Sequence, residues 1–197
     1  MKNITVLVSG GGTNFQVLID NIENGFIENG RIALLISSNP DAFAIKRAEA
    51  HGIKCAVIGK KNIPDDARRT EKLLKLLRSE STDLIVLAGY MSVLPPEIIE
   101  EYRNKIINIH PSLIPKYCGL GMYGHHVHEA VLAAGEKESG ATVHFVDEGV
   151  DTGKIILQKS VKVEEGDTPE TLAARVLEVE HEILPLAVKM FCNDEKM

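Results

Sequence analysis

The stretch ITVLVSGGGTNFQVLIDNI, residues 4–22, decides the fold. Ile4, Val6 and Val8, with Leu7 between them, form a short run that is nearly all apolar, the pattern of a strand buried on both faces. The turn SGGGTN follows, and then Phe15, Leu18, Ile19 and Ile22 recur at helical spacing. Strand, glycine turn and amphipathic helix together open a parallel α/β sheet.

Outward from that opening the alternation repeats. RIALLIS (31–37) reads as a second strand, stopped by Asn39-Pro40. The spacing predicts a helix over 41–51, closed by Gly52, and a strand near 54–58. A helix over 66–80 carries Leu73, Leu74 and Leu77 on one face, and DLIVLA (83–88) is another buried strand. A short helix after Pro95-Pro96, a strand over 105–109 and a helix over 127–134 continue the series. The pattern then changes. ATVHFVD (141–147) and residues 154–163 are strand-like and separated by the tight loop EGVDTG, which predicts an antiparallel pair added to the parallel sheet. Leu172, Val176, Val179, Ile183, Leu186 and Met190 mark a last helix, with Thr168 as its cap and Pro169 in its first turn. Pro185 inside it is expected to bend it. The expected fold class is α/β, a Rossmann-like three-layer unit over residues 1–197, with a phosphate- or nucleotide-binding half (1–100) and a catalytic half (101–197).

Composition narrows the function. The chain has 197 residues, is 44% apolar and 25% charged, and carries a net charge of −6. These values exclude disorder and a coiled coil as the main architecture. No apolar run approaches the ~20 residues that span a bilayer, and the N-terminal run is too short for a signal peptide, so a cytoplasmic protein with no membrane partner is expected. Cys55, Cys118 and Cys192 are scattered and form no CxxC pair, so neither a disulfide framework nor a thiolate metal site is expected. The acidic balance argues against a nucleic-acid partner.

Four features carry chemistry. Gly10, Gly11 and Gly12, between a strand and a helix, let an anion approach free backbone N–H groups. No Gly-Lys-Ser/Thr follows, and Phe15 stands at the third glycine position of a dinucleotide fingerprint, so a single phosphate fits better than NAD. A plain tight turn stays open on these residues alone. Asn108 and His110, two apart at a strand end, lie on one side of the strand, where an amide and an imidazole suit acyl transfer. A histidine satisfied within a loop is the alternative. Asp151 in EGVDTG is either a turn former or a third member of that group. Ala88 to Leu94 (AGYMSVL) follows a buried strand and either receives a flat ligand or packs inside. His125, His126 and His128 lack a metal-binding helix pattern, so no metal is expected and His128-Glu129 reads as the start of a surface helix.

Taken together, SGGGTN, LAGYM, NIHPSLIPKY and GATVHFVDEGVDTGKIILQ resemble the folate-dependent formyltransferases over nearly the whole chain. The resemblance implies 10-formyltetrahydrofolate as formyl donor and the amine of glycinamide ribonucleotide as acceptor. It implies Asn108, His110 and Asp151 as catalytic residues. Gly12, Thr13 and Asn14 would hold the ribonucleotide phosphate, with Glu180 on the glycinamide end. Met91, Ser92, Val93, Leu94, Asn108, Asp147, Glu148, Gly149 and Val150 would meet the folate. The chain would act as a monomer or homodimer on small molecules. The branch acting on methionyl-tRNA shares the catalytic core but adds a C-terminal domain, and a non-catalytic nucleotide-binding regulator is a third reading. Ser92 stands where many relatives carry Arg, an Arg expected before the third helix is displaced to Arg68 or Arg69, and residues 118–128 form a longer loop. A carboxylate beside an imidazole favours its charged form, so Asp151 is expected to lift the titration of His110.

Overall fold

The computed structural model describes all 197 residues. Its first half runs β1 (Lys2–Val8), α1 (Thr13–Glu23), β2 (Gly30–Ser37), α2 (Ala44–Ala50), β3 (Cys55–Val57), α3 (Asp66–Ser79) and β4 (Leu84–Leu87). The second half runs α4 (Pro96–Glu101), β5 (Ile106–His110), α5 (His125–Ala133), β6 (Glu138–Phe145), β7 (Ile155–Lys162) and α6 (Pro169–Cys192). All strands join one seven-stranded sheet in the order β3-β2-β1-β4-β5-β6-β7. The pairings from β3 through β5 are parallel, and β6 and β7 are antiparallel additions, so the expected Rossmann-like architecture forms. The chain leaves β1 towards β2 and β3, then returns to its other side with β4 and β5. That reversal opens a crevice at the carboxyl ends of β1 and β4, the place where such sheets take ligands.

The apolar run of β1 serves two cores because successive side chains point to opposite faces. Ile4, Val6 and Val8 pack with Phe15, Leu18, Leu172, Val176 and Ile183, under α1 and α6. Leu7 packs with Leu73, Leu77, Ile85, Ile98 and Ile106, under α3 and α4. Boundaries differ where turn chemistry competes. α2 starts at Ala44 and not at Asp41, because Asn39 holds the turn, its carbonyl accepting from Ala42 N–H at 3.3 Å. β6 starts at Glu138, paired with Lys162, and not at Ala141, because β7 gives its edge a partner from there on. α6 is capped by Thr168 and Thr171, which exchange side chain-to-backbone bonds, and it continues through Pro185 to Cys192. No helix is long and apolar enough to cross a membrane.

Candidate active site

The glycine turn forms one wall of the crevice. Gly12 takes φ +72° and a Cβ there would lie 2.6 Å from the Cβ of Ala44, so both handedness and space demand glycine. No side chain caps α1. The first N–H of the helix to find an acceptor is that of Gln16, on the Gly12 carbonyl at 2.9 Å. The amides of Thr13, Asn14 and Phe15 are left without helical acceptors at the positive end of the helix dipole. Asn14 Nδ2 donates to Glu180 Oε2 at 2.6 Å, so α6 meets the first turn of α1, while Asn14 Oδ1 is buried without a partner. Burial pushes the Glu180 carboxyl above its ordinary range, against the opposing effect of the Asn14 bond.

The other wall is made of side chains. β5 pairs Asn108 with His144 of β6 and places His110 two residues further on. The loop after β6 folds back to bring Asp151 to both rings, its Oδ2 lying 3.6 Å from His110 Nδ1 and its Oδ1 3.5 Å from His144 Nε2. Gly119 N–H donates to Asp151 Oδ2 at 2.9 Å. His110 Nε2 donates to the Tyr117 carbonyl at 2.9 Å. His144 Nδ1 donates to the Phe145 carbonyl at 2.8 Å, leaving its Nε2 to accept from Asn108 Nδ2 at 3.2 Å. The three catalytic residues expected from the sequence therefore stand together.

Local structure aims these groups. Tyr117 and Asp151 are non-glycine residues with positive φ, +53° and +57°. Both contribute an oxygen that faces His110, and conformations of this kind persist only where the surroundings hold them. The Tyr117 loop is pinned by Ser112 Oγ to the Lys116 carbonyl (2.7 Å), Thr142 Oγ1 to the Ser112 carbonyl (2.6 Å) and Gln158 Nε2 to the Ile114 carbonyl (3.0 Å). The Asp151 loop is held by Asp147 Oδ1, which accepts from Gly149 N–H and from Thr152 Oγ1. Gly153 is obligatory, since a Cβ there would lie 1.8 Å from the Phe145 carbonyl oxygen.

Electrostatics corrects one expectation. His110 is 4% exposed, and its burial lowers its titration below the ordinary value, outweighing the upward effects of the Tyr117 carbonyl and of Asp151. Burial therefore favours the neutral ring. Burial alone would raise the Asp151 carboxyl, but the hydrogen bond from the Gly119 N–H opposes it and the carboxyl lies below the usual range.

The remaining expected residues fall around this centre. Met91 and Val93 are exposed after β4, the Met91 N–H being held by Ser9 Oγ across the crevice mouth at 2.8 Å. Ser92 is exposed beside them. Leu94 is 5% exposed and packs into the α3–α4 core, so its side chain is spent there. Glu148 pairs with Arg103, and Val150 is exposed. Arg69 is tied to Asp66 and to the Ile63 carbonyl. His125 and His126 face Glu129, but His128 is buried, not on the surface as expected, with Nδ1 unpartnered and its titration lowered chiefly by burial. The sequence reading passed over His144. Its one signal was a polar ring between the apolar Val143 and Phe145, on the parity that meets Asn108.

This geometry has counterparts. A family model described as formyl transferase matches residues 2–188. A phosphoribosylglycinamide formyltransferase of Haemophilus influenzae is 44% identical over 191 residues, 97% of this chain and 87% of that protein. A chloroplastic protein of the same name from Arabidopsis thaliana is 40% identical over 98% of this chain, which spans 66% of that longer protein. The crystal structure of glycinamide ribonucleotide transformylase 1 from Symbiobacterium toebii superposes with a TM-score of 0.91 at 40% identity, covering 98% of this chain and 89% of that one. A formyltetrahydrofolate deformylase from Pseudomonas syringae follows at a TM-score of 0.88 and 26% identity, covering 98% and 62%. On the strength of the family match and of these relatives, the chain belongs to the formyl transferase family.

Proposed function

We infer that this protein is a phosphoribosylglycinamide formyltransferase, moving a formyl group from 10-formyltetrahydrofolate to the amine of N1-(5-phospho-D-ribosyl)glycinamide in purine biosynthesis. The observation that carries this reading is the meeting of Asn108, His110 and Asp151 beside a turn of free helix-end amides. The phosphate sits on the amides of Thr13 and Asn14, with Gly12 allowing close approach and Glu180 meeting the rest of the acceptor. The folate lies along Met91–Leu94 and Asp147–Val150, its formyl group at Asn108.

The amine nitrogen attacks the formyl carbon. One Asn108 Nδ2 hydrogen is committed to His144, and the other donates to the oxyanion that forms. His110, neutral and with Nε2–H held by Tyr117, offers the Nδ1 lone pair to the proton that the amine sheds. The resulting imidazolium faces the Asp151 carboxylate, which stabilises it until the proton passes to the departing folate nitrogen. The new C–N bond forms first, giving the tetrahedral oxyanion, and the old C–N bond breaks as the carbonyl re-forms and the folate nitrogen takes the proton from His110; no step calls for a metal.

The test is a formylation assay with the purified protein and both substrates, run beside methionyl-tRNA as an alternative acceptor. Turnover of the ribonucleotide and not of the tRNA is expected. No transfer to the ribonucleotide, or comparable transfer to the tRNA, overturns the reading.

A further inference from the structure

We propose that Arg47 reads the acceptor's phosphate and makes the enzyme prefer a phosphorylated acceptor over its unphosphorylated counterpart. The proposal deepens the function inferred above and rests on it. α2 begins against the glycine turn, with Ala44 N–H donating to the Gly10 carbonyl at 3.2 Å, and Arg47 comes one turn later on the same face. Its Nε donates to the Gly11 carbonyl at 2.9 Å and its Nη1 to Gln16 Oε1 at 3.2 Å. Gln16 is itself oriented, because its Nε2 donates to Asp20 Oδ1 at 2.8 Å. The guanidinium carbon lies 5.1 Å from the Phe43 ring centroid. The head of Arg47 is thus fixed at the turn before any ligand arrives.

Its counter-charge is missing. Arg69, Arg78, Arg103 and Arg175 each lie within 4.0 Å of a carboxylate; Arg47, like Arg31 and Arg68, does not, and half-buried Arg47 is held at the turn only by a neutral carbonyl and a neutral amide oxygen. Two of the five guanidinium N–H groups are used, so three donors and the full positive charge remain for a ligand. The end of α1 supplies only about half an elementary charge, while a phosphate monoester carries between −1.5 and −2 near neutrality. A planar, charged fork beside free backbone amides matches that excess. A hydroxyl in the same place would gain little from it.

The experiment compares wild type with Arg47→Met and Arg47→Lys, each checked for folding by circular dichroism and thermal melting. Kinetics would use the ribonucleotide and its dephosphorylated form. Calorimetry would measure inorganic phosphate binding to the free protein, a readout independent of activity. Arg47→Met should raise the acceptor KM and weaken phosphate binding by about 10- to 100-fold, with kcat within a few-fold and the folate KM unmoved. Arg47→Lys should recover only part, since an ammonium cannot hold Gly11 and grip a phosphate as a fork. Preference for the phosphorylated acceptor should shrink in both variants. If Arg47→Met leaves phosphate affinity and acceptor KM intact while Gly12→Val weakens both, Arg47 has no such role and the turn keeps its phosphate. If neither variant weakens them, the placement of the phosphate on the turn fails as well.

Discussion

Gly12 and Asp151 both hold a left-handed backbone, at φ +72° and +57°, on opposite walls of one crevice, and the two positions use it differently. At Gly12 the conformation is free, and it clears side chains away so that backbone amides can meet a ligand. At Asp151, and at Tyr117 across from it, the same conformation costs roughly 1 kcal/mol in a residue with a Cβ. There it aims a carboxylate and a carbonyl at His110. The first wall works through what it lacks, and the second through what neighbouring loops force into place. Substitution should therefore damage the first by adding atoms and the second by removing charge or aim.

The sharpest way to separate the walls is Asp151→Asn. The amide keeps the size and loses the charge that steadies an imidazolium at His110. Turnover should fall by about 10²-fold or more, with both Michaelis constants nearly unmoved. His110→Asn should do comparable damage, and the double substitution should cost far less than the product of the two, because the pair acts as a unit. Steady-state kinetics on the three variants decides it. A strictly multiplicative double variant would show that the two residues act separately.

Gly12→Val attacks the other wall. The added branch meets Ala44 and sits on a backbone that β-branched residues avoid. We expect a loss of stability of about 1–3 kcal/mol and a rise of about tenfold or more in the acceptor KM, with the folate KM changed far less. Equal rises for both substrates would mean that the turn serves the whole crevice and not the acceptor alone.

The contrast between the walls also explains what could be read before the structure. Glycines between a buried strand and a helix announce a backbone turn within a dozen residues, so Gly10, Gly11 and Gly12 were legible from local pattern, while Thr13 and Asn14 came from the resemblance. Asn108 and His110 were legible as a pair because strand period places them on one side. Their union with Asp151 came from the resemblance and not from spacing, since EGVDTG reads equally as an ordinary turn. His144 was missed for the same reason: its role exists only through the β5–β6 register, which pairs it with Asn108 across 36 residues of chain. At His110 the upward effect of Asp151 was anticipated but the net downward direction was not, because a charge partner can be guessed from sequence, whereas burial cannot. Leu94 illustrates the limit of a stretch assigned as a block, because its alternation turns one of four side chains into the core.

Acid should weaken the second half of the chain first. His110, His128 and His181 all belong to it, and burial lowers the titration of each. The unfolded chain takes up protons near ~6.5 that the folded one refuses, so this stabilisation is complete above that pH and is lost as pH falls towards the folded values. Each group contributes a slope of at most about 1.4 kcal/mol per pH unit. Glu180, raised by burial, acts in the opposite sense as pH climbs above ~4.3, so the informative quantity is a difference between proteins. His128→Gln should flatten the fall in stability between pH 6.5 and 5 by up to one proton, measured by urea unfolding at several pH values. An unchanged slope would remove His128 from the account.

The smallest effect tests whether the walls are held by the ends of their helices. Asp65 caps α3, its Oδ1 accepting from Arg68 N–H at 2.6 Å, and Thr168 caps α6, accepting from Thr171 N–H at 3.3 Å. Asp65→Ala and Thr168→Ala should each cost about 1 kcal/mol, read as a lower denaturation midpoint at constant m-value. The longer Thr168 bond predicts the smaller direct loss. The Thr171 hydroxyl that receives the Thr168 N–H at 2.9 Å is also held by Asp167 Oδ1 at 2.8 Å, so that half of the reciprocal pair survives the substitution. Thr168→Ala should therefore cost less than Asp65→Ala. Their consequences for the crevice differ, because α6 carries Glu180 to Asn14 and spans the core under β1, while α3 touches neither wall's reacting groups. Asp65→Ala should leave both Michaelis constants alone. Thr168→Ala should do the same if the eleven residues between the cap and Glu180 transmit no disorder, as a helix packed through Leu172, Val176 and Val179 implies. A rise in the acceptor KM with Thr168→Ala alone would show that the fit of Glu180 on the first wall depends on how firmly the last helix begins.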